Sequence, residues 1–182
     1  MNPIIAQINV KSKNNDGIGL PKYRIKKSKL NFNGFEDDYN HFRFKKKNID
    51  PKMSLLMISF DLLENFNQNG WPVKPGDLGE NLTLKNINYS SIRPNQQYQI
   101  GNTKIEITFK CDPCQKLRFL PYVGNSKINE FIKFLIDNRG WYAKVIETGI
   151  IHENDSFELI NKWYFNFIKL LSMFAILSFF II

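Results

Sequence analysis

Apolar residues separated by single polar ones recur along this chain, and no other feature of the sequence restricts its fold as strongly. Ile105, Ile107 and Phe109 alternate with Lys104, Glu106 and Thr108, Ala6, Ile8 and Val10 alternate with Gln7 and Asn9, and residues 54–58 form a short apolar run. A period of two sends successive side chains to opposite faces of a strand, so each apolar set lines one buried face. Residues 97–109 read as a hairpin, because Gly101-Asn102 supplies the positive φ angles that a two-residue turn needs between right-twisted strands. Two segments read as helices. Residues 60–68 follow a candidate cap at Ser59, and Ile128, Phe131, Ile132, Leu135 and Ile136 form an i, i+3, i+4, i+7, i+8 stripe before a stop at Gly140. Strands over 141–146 and 156–160, with a turn at Glu153-Asn154-Asp155 between them, complete the pattern. The sum predicts a mainly β domain with a curled or barrel-like sheet and one or two helices. No internal repeat is visible.

The last twenty residues break this pattern, since residues 163–182 carry a single charge, Lys169, and neither Gly nor Pro. As a helix rising about 1.5 Å per residue they reach roughly 30 Å, the thickness of a bilayer's hydrocarbon core. Trp163 and Tyr164 stand where an interfacial aromatic belt lies. The segment therefore predicts a hydrophobic C-terminal helix, and the chain divides into a folded domain over 1–161 and a membrane-anchoring tail over 162–182. Lys162 and Lys169 put the folded body on the cytoplasmic side by the positive-inside tendency. The alternative for the tail is a packed C-terminal helix.

Composition narrows the function classes. Sixteen Phe, seven Tyr and three Trp against ten Gly and eight Pro exclude a collagen-like or disordered chain. Two cysteines cannot build a disulfide framework, and residues 1–10 lack the basic and apolar regions of a secretory signal, which points to a reducing compartment. A formal net charge of +8 raises the question of a polyanionic partner. Twenty of the 25 cations are Lys and five are Arg, and no helix-turn-helix, zinc-finger or RNP motif accompanies them, so the charge does not predict dedicated nucleic-acid binding.

Cys111-Asp-Pro-Cys114 follows a predicted strand, and several chemistries use that spacing. A thioredoxin-like dithiol wants a helix N-terminus in a βαβ setting. A structural zinc site needs four ligands, and only His41 and His152 remain to complete it. Buried structural cysteines are the third reading, favoured for Cys111. Cys114 differs because Lys116 and Arg118 follow it; in an extended chain the three share a face, where two cations favour the thiolate or hold an anion near the sulfur. Two further stretches gather polar groups. Pro75-Gly-Asp-Leu-Gly79-Glu80-Asn81 is a turn that presents an acid and an amide before a strand, and residues 33–43 bring together Asp38, His41 and Arg43. An ordinary turn with Glu80 solvated remains open as the plain reading of the first, and a surface histidine near an arginine as that of the second.

Six blocks stand in order: Gly-Ile-Gly-Leu-Pro-Lys (17–22), Asn-Gly-Phe-Glu-Asp-Asp-Tyr-Asn-His (33–41), Pro-Gly-Asp-Leu-Gly-Glu-Asn-Leu-Thr-Leu (75–84), Ile-Gly-Asn-Thr-Lys-Ile-Glu-Ile-Thr (100–108), Pro-Cys-Gln-Lys-Leu (113–117) and Gly-Trp-Tyr-Ala-Lys-Val (140–145). Together they resemble the MOSC domain over roughly residues 4–160, closest to the small bacterial hydroxylaminopurine-resistance-like branch. The resemblance implies a MOSC β-barrel that binds the molybdenum cofactor, with the family's cysteine at Cys114 as the metal ligand and catalytic group. Asp38, His41, Glu80 and Asn81 match family positions around the pocket, with Arg43, Lys116 and Arg118 as contacts to phosphate or pterin. It implies a molybdenum enzyme that reduces N-hydroxylated compounds with electrons from a separate donor protein, no flavin, haem or iron-sulfur motif being visible. The alternative is a non-redox sulfur carrier or cofactor-delivery module with a Cys114 persulfide. Pyridoxal phosphate, associated with the superfamily, finds no lysine motif here. Where many members have Gly before the Asp this chain has Asp37, and where many have a His-Gly-Gly turn it has Lys45-Lys46-Lys47. Gly lets a ligand approach the backbone and Lys does not, so either Lys charge replaces that contact or the cofactor binds weakly or not at all.

Overall fold

The computed structural model describes residues 1–12, 18–39 and 50–160. In chain order the elements are β1 (Ile4–Val10), β2 (Tyr23–Ile25), β3 (Lys27–Asn31), β4 (Gly34–Phe35), β5 (Leu55–Ser59), α1 (Phe60–Gln68), β6 (Leu82–Lys85), β7 (Gln97–Ile100), β8 (Thr103–Lys110), α2 (Gly124–Leu135), β9 (Trp141–Glu147), β10 (Gly149–His152) and β11 (Phe157–Ile160). A 3₁₀ helix, Gln115–Phe119, precedes α2. Helix α1 starts where the sequence places it, with the Ser59 hydroxyl accepting from Leu62 N at 3.2 Å and filling one of the unpaired donors of the first turn. The hairpin also forms as read, β7 pairing β8 across Gly101-Asn102. Of its two turn residues Gly101 takes the positive φ, 52°, which is the requirement of a turn with Gly first.

Eight strands join in the order β11-β7-β8-β9-β5-β6-β1-β2, and a second sheet runs β10-β3-β4. The β5–β6 pair is parallel, as the crossover through α1 requires, and the other pairs are antiparallel. The expected barrel is corrected: the large sheet is mixed and does not close. It curls far enough for Ile5 N to donate to Asp155 O (3.0 Å) and Phe157 N to Pro3 O (2.9 Å), with one isolated bridge between Ile4 and Ser156. Closure would need β11 along the free edge of β1, and that edge is taken by β2 from Ile8 to Val10.

Strand β5 is buried at all five positions, the signature of a strand covered on both faces. Leu55 and Met57 enter the sheet's own core with Ile5, Ile8, Leu82, Ile105, Ile107, Ala143 and Phe157. Ile58 turns the other way, into a second cluster with Leu63 and Phe66 of α1, Trp71, Leu117, and Ile128, Phe131 and Leu135 of α2. In β1 the register shifts between Ile5 and Gln7, so Ile5 joins Ile8 and Val10 in the core while Ala6 is half-buried; a bulge adds a residue and breaks the period of two.

The expected C-terminal hydrophobic helix, residues 162–182, lies outside the described residues. The tail-anchored, cytoplasmic localisation drawn from it is corrected, since among the described residues no helix is long and apolar enough to cross a membrane. The longest described helix, α2, has 12 residues and buries only Ile128, Phe131 and Leu135; at about 1.5 Å per residue it spans little more than half of a bilayer's core.

Candidate functional site

The loop over 74–81 joins α1 to β6 and carries the acid and amide singled out in the sequence. Its tight turn depends on Gly76, which has φ 94°; a Cβ there would lie 2.2 Å from Lys22 O. Gly76 O accepts from Lys22 N at 2.9 Å, and Gly76 N donates to Glu80 Oε1 in a short hydrogen bond. Asp77 anchors the turn to the helical layer by accepting from Lys74 N at 2.9 Å and from the Tyr122 hydroxyl at 3.0 Å.

Glu80 is wholly buried. Its Oε1 also accepts from Thr83 Oγ1 at 3.3 Å, while Oε2 has no hydrogen-bond partner among the described residues. Burial pushes this carboxyl up to about 7, with the Gly76 amide pulling the other way and Asp77 adding to the rise. The neighbouring Asn81 pairs with β5 through Asn81 N to Leu56 O (2.7 Å) and Leu56 N to Asn81 Oδ1 (3.2 Å). Asn81 Nδ2 reaches Asp38 Oδ2 at 3.0 Å. Asp38, buried too, accepts from Lys11 N at 2.9 Å and from Lys22 Nζ at 2.7 Å. Lys22 and Asp38 therefore form a buried ion pair with side-chain exposures of 3% and 0%, and its remaining lone pairs are met by hydrogen bonds, the condition under which such a pair survives desolvation.

The cysteines lie on another side of this loop. Strand β8 ends at Lys110, and residues 109–114 with Met53, Arg139 and Tyr142 wall a cavity of about 260 Å³. Cys111 is buried and Cys114 half-buried, and both thiols are free. Arg139 is 6% exposed; its Nη1 donates to Cys111 Sγ at 2.6 Å and its Nη2 to Leu78 O at 2.7 Å. Its Nε, like Glu80 Oε2, is buried without a hydrogen-bond partner among the described residues, and the Glu80 and Arg139 charges act on one another. Burial pushes the Cys111 thiol up, while Arg139 and a hydrogen bond from Tyr142 pull it down. Burial also raises Tyr142, which stays a hydroxyl donor. Gly140 makes the placement of Arg139 feasible: it has φ 121°, and a Cβ there would lie 2.6 Å from Met57 O. Its carbonyl accepts from Cys111 N at 2.9 Å.

The structure thus gathers Asp38, Glu80 and Asn81 into one buried network and puts Cys114 on a cavity wall beside Cys111. Lys116 and Arg118 stand elsewhere. The segment after Cys114 is a 3₁₀ helix, with about three residues per turn in place of a strand's alternation. Lys116 is half-buried within it, and the exposed Arg118 turns back to Gln115 O and Oε1, both at 2.8 Å. Neither lines the cavity. His41, Arg43 and Lys45-Lys46-Lys47 lie outside the described residues. Arg139 and Tyr142 are the groups that sequence reasoning missed. The available signal was one of only five arginines directly before the Gly140 block.

The family profile of the MOSC domain matches residues 45–158, more than half of the chain. The chain belongs to the MOSC domain family. The resemblance carried by the six sequence blocks is thereby borne out. No curated protein sequence matches this MOSC chain. Its fold is similar to the crystal structure of the YuaD protein from Bacillus subtilis, with a TM-score of 0.72 at 15% identity over 87% of this chain and 96% of that one. It is similar also to YiiM from Geobacillus stearothermophilus (TM-score 0.65, 19% identity, 88% and 76% covered) and to YiiM from Escherichia coli (TM-score 0.61, 19% identity, 89% and 71% covered). The MOSC family is associated with the molybdenum cofactor. The donor set fits the sulfur-ligated end of such a group: a half-buried thiol on an open wall suits a soft metal ligand, with Arg139 and Lys110, the latter paired with Asp137, in a lining that also includes Asp112.

Proposed function

We infer that this MOSC domain holds a molybdenum cofactor at the Cys111–Cys114 cavity and, with a separate electron-donor protein, reduces N-hydroxylated compounds. The observation that carries the reading is the half-buried Cys114 thiol on a cavity wall backed by the buried Arg139 guanidinium. Cys114 Sγ is the metal ligand. Bound there, the cofactor supplies two-electron oxygen-atom chemistry that suits cleavage of an N–O bond. Arg139 holds Cys111 Sγ in place through its Nη1 donor, and Lys110, paired with Asp137 at 2.9 Å, lines the same cavity. Asp38, Glu80 and Asn81 act from behind the wall: Asn81 bonds Asp38, Glu80 accepts from Gly76 N and Thr83, and together they fix the loop whose Leu78 carbonyl orients Arg139.

A second reading, a non-redox carrier that holds sulfur as a Cys114 persulfide, is favoured by the second thiol in the same cavity. One experiment separates the two. The full chain is purified without oxygen from a molybdate-replete host, and its molybdenum, pterin and intact mass are measured. The cofactor reading expects molybdenum and pterin at comparable amounts, lost at least about tenfold in Cys114→Ser and retained in Cys111→Ser. Protein free of both, with the chain or its Cys111→Ser variant one sulfur atom heavier at Cys114, overturns it in favour of the carrier.

A further inference from the structure

The second cysteine has no task in ligating a metal, yet it is the one that a buried guanidinium contacts directly. Cys111 and Cys114 line the same cavity. Cys111 Sγ receives Arg139 Nη1 at 2.6 Å; burial raises the thiol, and the guanidinium at the sulfur opposes that by stabilising negative charge as it develops there. Cys114 is the more open of the two and lies where the extended backbone after β8 turns into the 3₁₀ helix, so it meets an incoming sulfur donor first. A buried, cation-backed thiol beside an open thiol is the arrangement in which one cysteine carries a sulfur and the other displaces it.

We propose that Cys111 is a resolving thiol that releases sulfide from a sulfane sulfur carried on Cys114. The proposal rests on the carrier reading above and deepens it, naming sulfane sulfur as the class of substrate and sulfide as the product. In the step, the Cys111 sulfur attacks Sγ of the Cys114 persulfide. A Cys111–Cys114 disulfide bond forms and the bond to the outer sulfur breaks. The outer sulfur leaves with the electron pair as hydrosulfide and takes up the proton lost by Cys111, giving hydrogen sulfide. The two cysteine sulfurs are oxidised and the sulfane sulfur is reduced to sulfide, so no outside oxidant enters. A dithiol reductant returns the pair to its starting state. Arg139 is the positioning residue, held for this by Leu78 O at 2.7 Å.

The test uses the reduced full chain, without oxygen, treated with inorganic polysulfide and desalted, with sulfide release followed by a colorimetric assay and the cysteines mapped by mass spectrometry. The wild-type chain is expected to release about one equivalent of sulfide and to finish two hydrogens lighter, with a disulfide between residues 111 and 114. Cys111→Ser is expected to finish one sulfur heavier at Cys114 and to release less than about a tenth as much. Wild-type protein that keeps the extra sulfur on Cys114 and releases none overturns the proposal, whatever the variant does, and leaves the carrier reading standing. Failure of Cys114 to take up sulfur in both proteins overturns the carrier reading and the proposal with it. Equal release from wild type and Cys111→Ser overturns the role of Cys111.

Discussion

Replacing Glu80 by Gln tests the buried network directly. Glu80 is fully buried, one carboxylate oxygen lacks a hydrogen-bond partner among the described residues, and burial raises it from 4.5 to about 7. A carboxyl with a raised folded-state pKa binds its proton more tightly in the native state than in the unfolded chain. Between those two values the native state holds more protons, so stability falls as pH rises. The contribution is fully present below about pH 4.5 and is lost by about pH 8. Each pKa unit corresponds to about 1.4 kcal/mol, so the whole loss is on the order of 3 kcal/mol. That is a large share of the roughly 5–15 kcal/mol that holds a domain together. Gln keeps the oxygen that accepts from Gly76 N and cannot ionise. Urea unfolding at intervals from pH 5 to pH 8.5 should show wild-type stability declining relative to Glu80→Gln, with the variant the more stable at the alkaline end. His41 and His152 are present in both proteins, so whatever they contribute cancels in the difference. Parallel profiles would refute the argument, because they would mean that Glu80 stays ionised throughout or is solvated.

Gly140→Ala should cost more than about 2 kcal/mol, since φ is 121° and the new Cβ would meet Met57 O at 2.6 Å; a midpoint shift under a quarter of that size in urea would show that the 137–141 segment gives way. Lys22→Met should cost about 3–5 kcal/mol at pH 7 by taking the Lys22 cation away from the buried Asp38, read by the same unfolding assay, and Asp38→Asn in the same chain should restore much of the loss.

Much of the sheet was legible because its rules are local. Ile105 and Ile107 alternate without interruption and are both fully buried, and the Ser59 cap sits directly before α1. The small sheet was not legible, because β3 reads Lys-Ser-Lys-Leu-Asn and buries only Ser28 and Leu30; its pairing with β10 is decided by a strand far along the chain. At the site, the turn carrying Glu80 and Asn81 announced itself through Pro and Gly, but the contact of Asn81 with Asp38 spans 43 positions and no local pattern reports it. The cysteine segment failed differently. Its Lys and Arg were read at strand spacing and fold at 3₁₀ spacing, while the cation that reaches a thiol, Arg139, follows the α2 helix in a position that usually faces water.

The loop over 74–81 explains why so many polar groups are buried in one place. Along it, Gly76 holds Glu80 and Lys22, Asp77 holds Tyr122 of the helical layer, Leu78 O holds Arg139, and Asn81 holds β5 and Asp38. Each contact is modest, about 1 kcal/mol for an ordinary hydrogen bond and more where a charge takes part. They are not independent, because a shift of the loop that frees one carbonyl or amide moves the next. The wall behind Cys111 is therefore only as rigid as the turn at Gly76, and a change in the charge on Glu80 is felt at Arg139 chiefly through the shared loop. A cavity that must keep a guanidinium aimed at one sulfur while leaving the other sulfur open gains from such a support, since the alternative, a cation on a flexible surface side chain, would fix neither the distance nor the direction of the donor.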